Sequence, residues 1–144
     1  MRPQLNSGTL GGRMSYEISL YTRGFLKRAI ENNLGDWTGA DPISAHAVES
    51  LATLAAARGF QRTPPDPSFV EFLRSKGVAP AEEFLLDTSD LLAQLSFHDG
   101  QIAFSIPYSS RAGASIVLCS ELARTIAREH DLAFYDPQEG IADY

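Results

Sequence analysis

The sequence predicts an α/β domain of the α+β kind, built on a βαββαβ chain order. Three observations predict it: an alternating run at Tyr16 to Thr22, an Asp99-Gly100 pair between two further alternating runs, and a helical stripe from Gly113 to His130 that leads into a last strand. In the first run, Tyr16, Ile18 and Leu20 alternate with Glu17, Ser19 and Tyr21, the period-2 pattern of a half-buried strand. Arg23 to Asn33 then carries Phe25, Leu26, Ala29 and Ile30 at helical spacing, with Asn33 and Gly35 as the stop.

Two Asp-Pro pairs mark the next helix starts, because Asp caps free amides and proline at the first helical position loses no hydrogen bond. Asp41-Pro42 is expected to open a helix ending at Gly59 that buries Val48, Leu51, Ala52 and Ala55. Asp66-Pro67 is expected to open one ending at Gly77 that buries Phe69, Phe72 and Leu73. Between them, Phe60 to Pro65 has room for at most a brief extended piece, since Pro64 and Pro65 forbid a central strand.

Leu91, Ala93, Leu95 and Phe97 alternate with polar and apolar neighbours, and Ile102, Phe104 and Ile106 do the same beyond Asp99-Gly100. Such a pair between strands signals a hairpin whose turn residues both tolerate positive φ. The register follows: His98 faces Gln101, while Phe97 and Ile102 share a face. In the last helix Ile116, Cys119, Ala123, Ile126 and Ala127 form a stripe widened by Val117 and Leu122, and Leu132 to Tyr135 gives a strand stopped by Asp136-Pro137. With the stretch between the first and second strands treated as a helical insertion, this is the plan of a ferredoxin-like sandwich. Right-handed crossovers place the helices on one face and leave the other for solvent, the insertion or a partner.

A chain of 144 residues is long enough for one cored domain. Residues 1–13 are rich in Gly and polar residues without the apolar run of a secretory signal, and are expected to be a disordered extension before a single domain over residues 14–144. They hold Arg2 and Arg13 and no acid, so setting them aside takes the formal net charge from −6 to −8. An acidic surface disfavours nucleic acid, whose affinity comes from Lys and Arg neutralising phosphates, and favours a basic protein partner. No apolar run approaches the roughly 20 residues that span a bilayer, so no membrane segment is expected. Cys119 is the only cysteine, which rules out an internal disulfide and suits a reducing cytoplasm. Its place within the helical stripe is that of a small hydrophobe rather than a nucleophile.

His46, His98 and His130 form no metal-ligand spacing, and neither a metal nor a cofactor is expected. His98 beside Asp99 has the chemistry of a general base, against the commoner reading of a water-exposed turn histidine. The loop Pro107 to Gly113, with Ser109, Ser110 and Arg111, ends at a helix start that suits an anion; a plain strand-to-helix connection with serine capping explains it as well. Glu82, Glu83, Asp87 and Asp90 form one acidic cluster, and Asp131, Asp136, Glu139 and Asp143 a second, neither with EF-hand spacing. Trp37 is either a buried anchor for its loop or an exposed contact.

The start at Met14, the Asp-Gly hairpin, Pro107-Tyr108 and the closing Tyr135-Asp136-Pro137-Gln138 together resemble a set of small bacterial α/β proteins ending in such a strand stop. That group is similar to immunity proteins paired with interbacterial toxins. The resemblance implies an α/β domain of unknown activity within that group, and together with the acidic surface it leads to the expectation of a non-enzymatic inhibitor that occludes the cleft of a basic toxin. Its expected contacts are Trp37, Glu82, Glu83, Asp87, Asp90 and Asp99, with carboxylates speeding encounter and aromatic anchors holding the complex. The alternative is a small-molecule or enzymatic site formed by Tyr108, Arg111, Tyr135 and Asp136. A homodimer through a sheet face or edge is compatible with both.

Overall fold

Strand β1 (Ser15–Thr22) points Tyr16, Ile18 and Leu20 into the main core and Glu17, Ser19 and Tyr21 to the opposite face, as its alternation requires. The computed structural model describes residues 15–33, 39–78 and 82–144. Within them the fold is α+β, four helices and a seven-stranded open sheet in the order β2-β3-β4-β5-β1-β6-β7, every neighbouring pair antiparallel. The extension expected at residues 1–13 lies outside the described residues.

The hairpin of β4 (Leu92–Phe97) and β5 (Ile102–Pro107) has the register expected, with Phe97 opposite Ile102 and the His98 amide donating to the Gln101 carbonyl at 2.8 Å. Its core face carries Ala93, Leu95, Phe97, Ile102, Phe104 and Ile106, all buried. Helix α4 (Ala112–His130) lies on this face and ends at Asp131 in the left-handed conformation, φ 55°, which turns the chain straight into β6 (Leu132–Asp136). Helix α2 (Ala45–Ala57) lies antiparallel beside α4: the His46 and His130 rings meet at 5.2 Å at one end, and Arg58 faces Glu121 at the other. Cys119 is fully buried between helix and sheet, and burial pushes its thiol up to about 12, so it is a packing residue.

The helical insertion is corrected by the structure: it contains two strands. β2 (Gln61–Thr63) is an edge strand that stops before Pro64, and β3 (Glu82–Asp87) joins it to β4. In β3, Phe84 and Leu86 face the core, but Leu85 between them is apolar too, which conceals the alternation. A third additional strand, β7 (Ile141–Asp143), returns along β6 after a turn at Gly140, φ 67°. The expectation of all helices on one face is corrected as well. α1 (Arg23–Glu31) packs Phe25 and Leu26 against Tyr21 and Ala133, on the face opposite α2 and α4.

Four finer expectations also change. α2 begins at Ala45 with Ser44 as its cap; Asp41 instead accepts from Thr22 Oγ1 and faces Arg28 at 3.5 Å. Val117 is exposed and Leu118 takes its place in the buried stripe of α4. The hairpin turn needs no positive φ at Asp99 or Gly100. Finally α3 (Pro67–Ser75), capped by Asp66 as expected, buries none of its residues: Phe69 and Phe72 are each 55% exposed. Replacing Phe69 and Phe72 by alanine should therefore change stability by no more than about 0.5 kcal/mol. Denaturant unfolding checks this, and a loss above about 2 kcal/mol would mean that the two rings are core residues.

Candidate functional site

The face of the sheet turned away from α2 and α4 is polar and only partly covered. α1 closes its Tyr21 end, while Gln94, Ser96, Ala103 and Ser105 on β4 and β5 stay partly exposed. On this face Ser105 stands opposite Glu17 and Ala103 opposite Ser19. A cleft of about 600 Å³ opens over β1. Glu17, Ser19 and Tyr21 of β1 form its floor, the hairpin tip from His98 to Gln101 one wall, and Tyr135 and Pro137 another.

The polar groups of the cleft are ordered by one another. The Gln101 side-chain amide donates to Ser19 Oγ and to the Tyr21 hydroxyl, both at 3.0 Å. Oε2 of Glu17 accepts from the Ser15 hydroxyl at 2.5 Å and the Ser105 hydroxyl at 2.8 Å, while Oε1 accepts from no described residue. The described residues lining the cleft include two carboxylates, Glu17 and Asp99, and no Lys or Arg. Neither the Asp99 carboxylate nor the His98 ring forms a hydrogen bond or ion pair with a described residue. Among the described residues no group of three His, Cys, Asp or Glu side chains is arranged to hold a metal ion.

The Asp136-Pro137-Gln138 sequence holds Glu17 in place. Continuing the β1–β6 register beyond Ser19 and Tyr135 brings Pro137 opposite Glu17, and proline has no amide to donate. The Gln138 side chain substitutes: its Oε1 accepts from the Glu17 amide and its Nε2 donates to the Glu17 carbonyl, both at 2.7 Å. Asp136, only 4% exposed, anchors the turn by accepting from the Tyr16 hydroxyl at 2.5 Å, Gln138 Nε2 at 2.9 Å and the Glu139 amide at 3.2 Å. Desolvation, and then the hydrogen bond to Asp136, hold the Tyr16 phenol well above its usual range.

The hairpin wall is fixed by close packing. A β-carbon on Gly100 would meet the Ala40 β-carbon at 2.4 Å, and the amide of Ile43 donates to the Asp99 carbonyl at 3.0 Å. The glycine is thus required by the approach of another segment rather than by its own φ. Gly100→Ala should cost about 1–3 kcal/mol and raise amide exchange at Ile43, measurable by denaturant unfolding and hydrogen exchange; unchanged exchange at Ile43 would contradict the contact.

The residues proposed from sequence are dispersed. Asp99 and Tyr135, from the two rival sets, both line the cleft. Glu82 is paired with Arg62 at 2.6 Å and Asp87 with Arg111 at 2.9 Å, so two of the four clustered carboxylates are engaged by the protein's own arginines. Glu82 and Glu83 stand at one end of β3 and Asp87 and Asp90 at or beyond the other, about 17 Å away by strand rise, which divides the cluster. Arg111 also donates to the Thr88 carbonyl at 2.8 Å, Tyr108 is exposed, and Asp136 is buried with its oxygens occupied; none of these three lines the cleft with Tyr135. Trp37 lies outside the described residues. Glu17, Ser19, Tyr21 and Gln101 were not singled out from sequence; the signal was present, since Glu17, Ser19 and Tyr21 are the outward half of the β1 alternation.

Compared with protein-family models, curated protein sequences and solved structures, the chain matches none. The functional reading therefore rests on the cleft and on surface charge.

Proposed function

We propose that this chain is a non-enzymatic binding domain of the immunity type, which neutralises a basic protein such as a toxin by occluding its active cleft. The observation that carries this is the acidic cleft on the open sheet face, with Glu17 and Asp99 in its lining and no described Lys or Arg to offset them. The chain's net charge of −6 supplies a long-range field of the same sign, which steers a basic partner toward it. We also read β4-β5-β1-β6 with α2 and α4 as a ferredoxin-like core, extended by β2, β3 and β7 at its edges. That reading accounts for the strand order and for the uncovered face on which the cleft lies.

The test is capture from lysate of the native host by the full chain and by a Glu17→Gln/Asp99→Asn variant, washed at low and high salt. A basic protein held by the wild type, released by salt, lost by the variant and toxic unless this chain is co-expressed would support the proposal. Equal capture by the variant, or a captured protein with no toxicity, would overturn it. The volume of the cleft, about 600 Å³, also lies within the range of small-molecule pockets. This favours, as a second reading, a ligand-binding domain that uses the same Glu17, Gln101 and Tyr135.

A further inference from the structure

Away from the acidic cleft, α4 and β6 border a second cavity, and we propose that it is a binding site for a phosphate group, free or carried as a small monoester. Its volume is about 140 Å³, below the roughly 300–1,000 Å³ of small-molecule pockets, so it admits one such group and leaves the rest of a ligand outside. Three of its lining residues are arginines: Arg124 and Arg128, one turn apart on α4, and Arg23 at the start of α1. Asp143 is the only carboxylate among the described lining residues, and the others, Leu132 and Phe134 among them, are apolar. On a chain of net charge −6, gathering three positive charges around one small space costs repulsion that a bound anion relieves.

The unspent capacity of the cavity is that of donors. The Arg124 guanidinium lies over the Phe134 ring, 4.0 Å from its centre, and its ion pair with Asp143 is 3.9 Å long, too far for a hydrogen bond. Arg23 gives its Nε–H to Asp131 at 2.7 Å, which orients the group and leaves both terminal nitrogens without an acceptor among the described residues. The Arg128 side chain has neither an ion pair nor a hydrogen bond among the described residues. Phosphate answers this set better than carboxylate does. It presents three oxygens to guanidiniums arriving from two helices and carries close to two charges, where a carboxylate has two oxygens and one charge. Asp143 works against the anion, since it competes for Arg124.

The experiment is a titration of the isotope-labelled full chain with inorganic phosphate, glycerol 1-phosphate and acetate, each at pH 7 and constant ionic strength, followed by amide chemical shifts. Saturable shifts around Arg124 to Leu132 and at Asp143 are expected with inorganic phosphate, in the millimolar range, with acetate about tenfold weaker. Arg128→Gln, at an exposed position that leaves the fold intact, should weaken phosphate about tenfold, and Arg124→Gln by a similar factor. Asp143→Asn should tighten it about threefold, a gain that loss of a merely structural contact does not produce. Phosphate bound at least as tightly as the ester would identify the free ion as the ligand, and a tighter ester would identify a monoester; both support the site. No saturable response, acetate bound as tightly as phosphate, unchanged affinity in Arg128→Gln, or weaker binding by Asp143→Asn would overturn it.

Discussion

Replacing Asp136 by alanine should lower stability by about 3 kcal/mol, because it strips the acceptor from three donors in a site with little access to water. The Tyr16 hydroxyl, Gln138 Nε2 and the Glu139 amide all converge on this carboxylate. The loss should spread to the cleft, since Gln138 would no longer be held against the Glu17 backbone. Denaturant unfolding gives the magnitude, and a double-mutant cycle with Tyr16→Phe gives the part due to that pair. A cost below about 1 kcal/mol would mean that the turn is held by other contacts.

The same pair predicts an alkaline limb. Burial and Asp136 raise the folded-state pKa of Tyr16 above the usual tyrosine value near 10. The native state then retains a proton that the unfolded chain gives up, so this contribution is complete below about pH 10 and is lost as pH rises through the folded-state value. Tyr16→Phe should flatten the fall in stability above pH 10. An unchanged slope would show that other groups set it.

The second large effect concerns encounter. With Glu17→Gln and Asp99→Asn together, the association rate with the basic partner should fall roughly tenfold at low ionic strength and much less at high salt, where the field is screened. Stopped-flow mixing across a salt series measures both. Alanine at Glu82 and Asp87 should do less, because each is already neutralised by an arginine of the same chain. A greater loss from Glu82 and Asp87 than from the cleft pair would move the contact surface to β3.

Much of this architecture can be read from local patterns. The alternation of Tyr16, Ile18 and Leu20, the Asp99-Gly100 hairpin and the Asp66-Pro67 helix start all report short-range physics, and each appears in the fold. What escapes local patterns is tertiary. Phe69 and Phe72 have helical spacing, yet no described element provides a surface that buries them. Leu85 conceals the β3 alternation because its face is also partly apolar, and β7 is too short for periodicity to mark it. The cleft depends on two pairings between distant segments, Ala40 against Gly100 and Gln138 against Glu17. Each of those residues, taken alone, is an ordinary turn or surface residue.

The most direct test of the cleft as the contact surface is amide hydrogen exchange of this chain, free and bound to the captured partner. Protection on binding is expected at Glu17 to Tyr21, at His98 to Gln101 and around Tyr135. Protection confined to α3, or to the outer faces of α2 and α4, with the cleft amides unchanged, would contradict it.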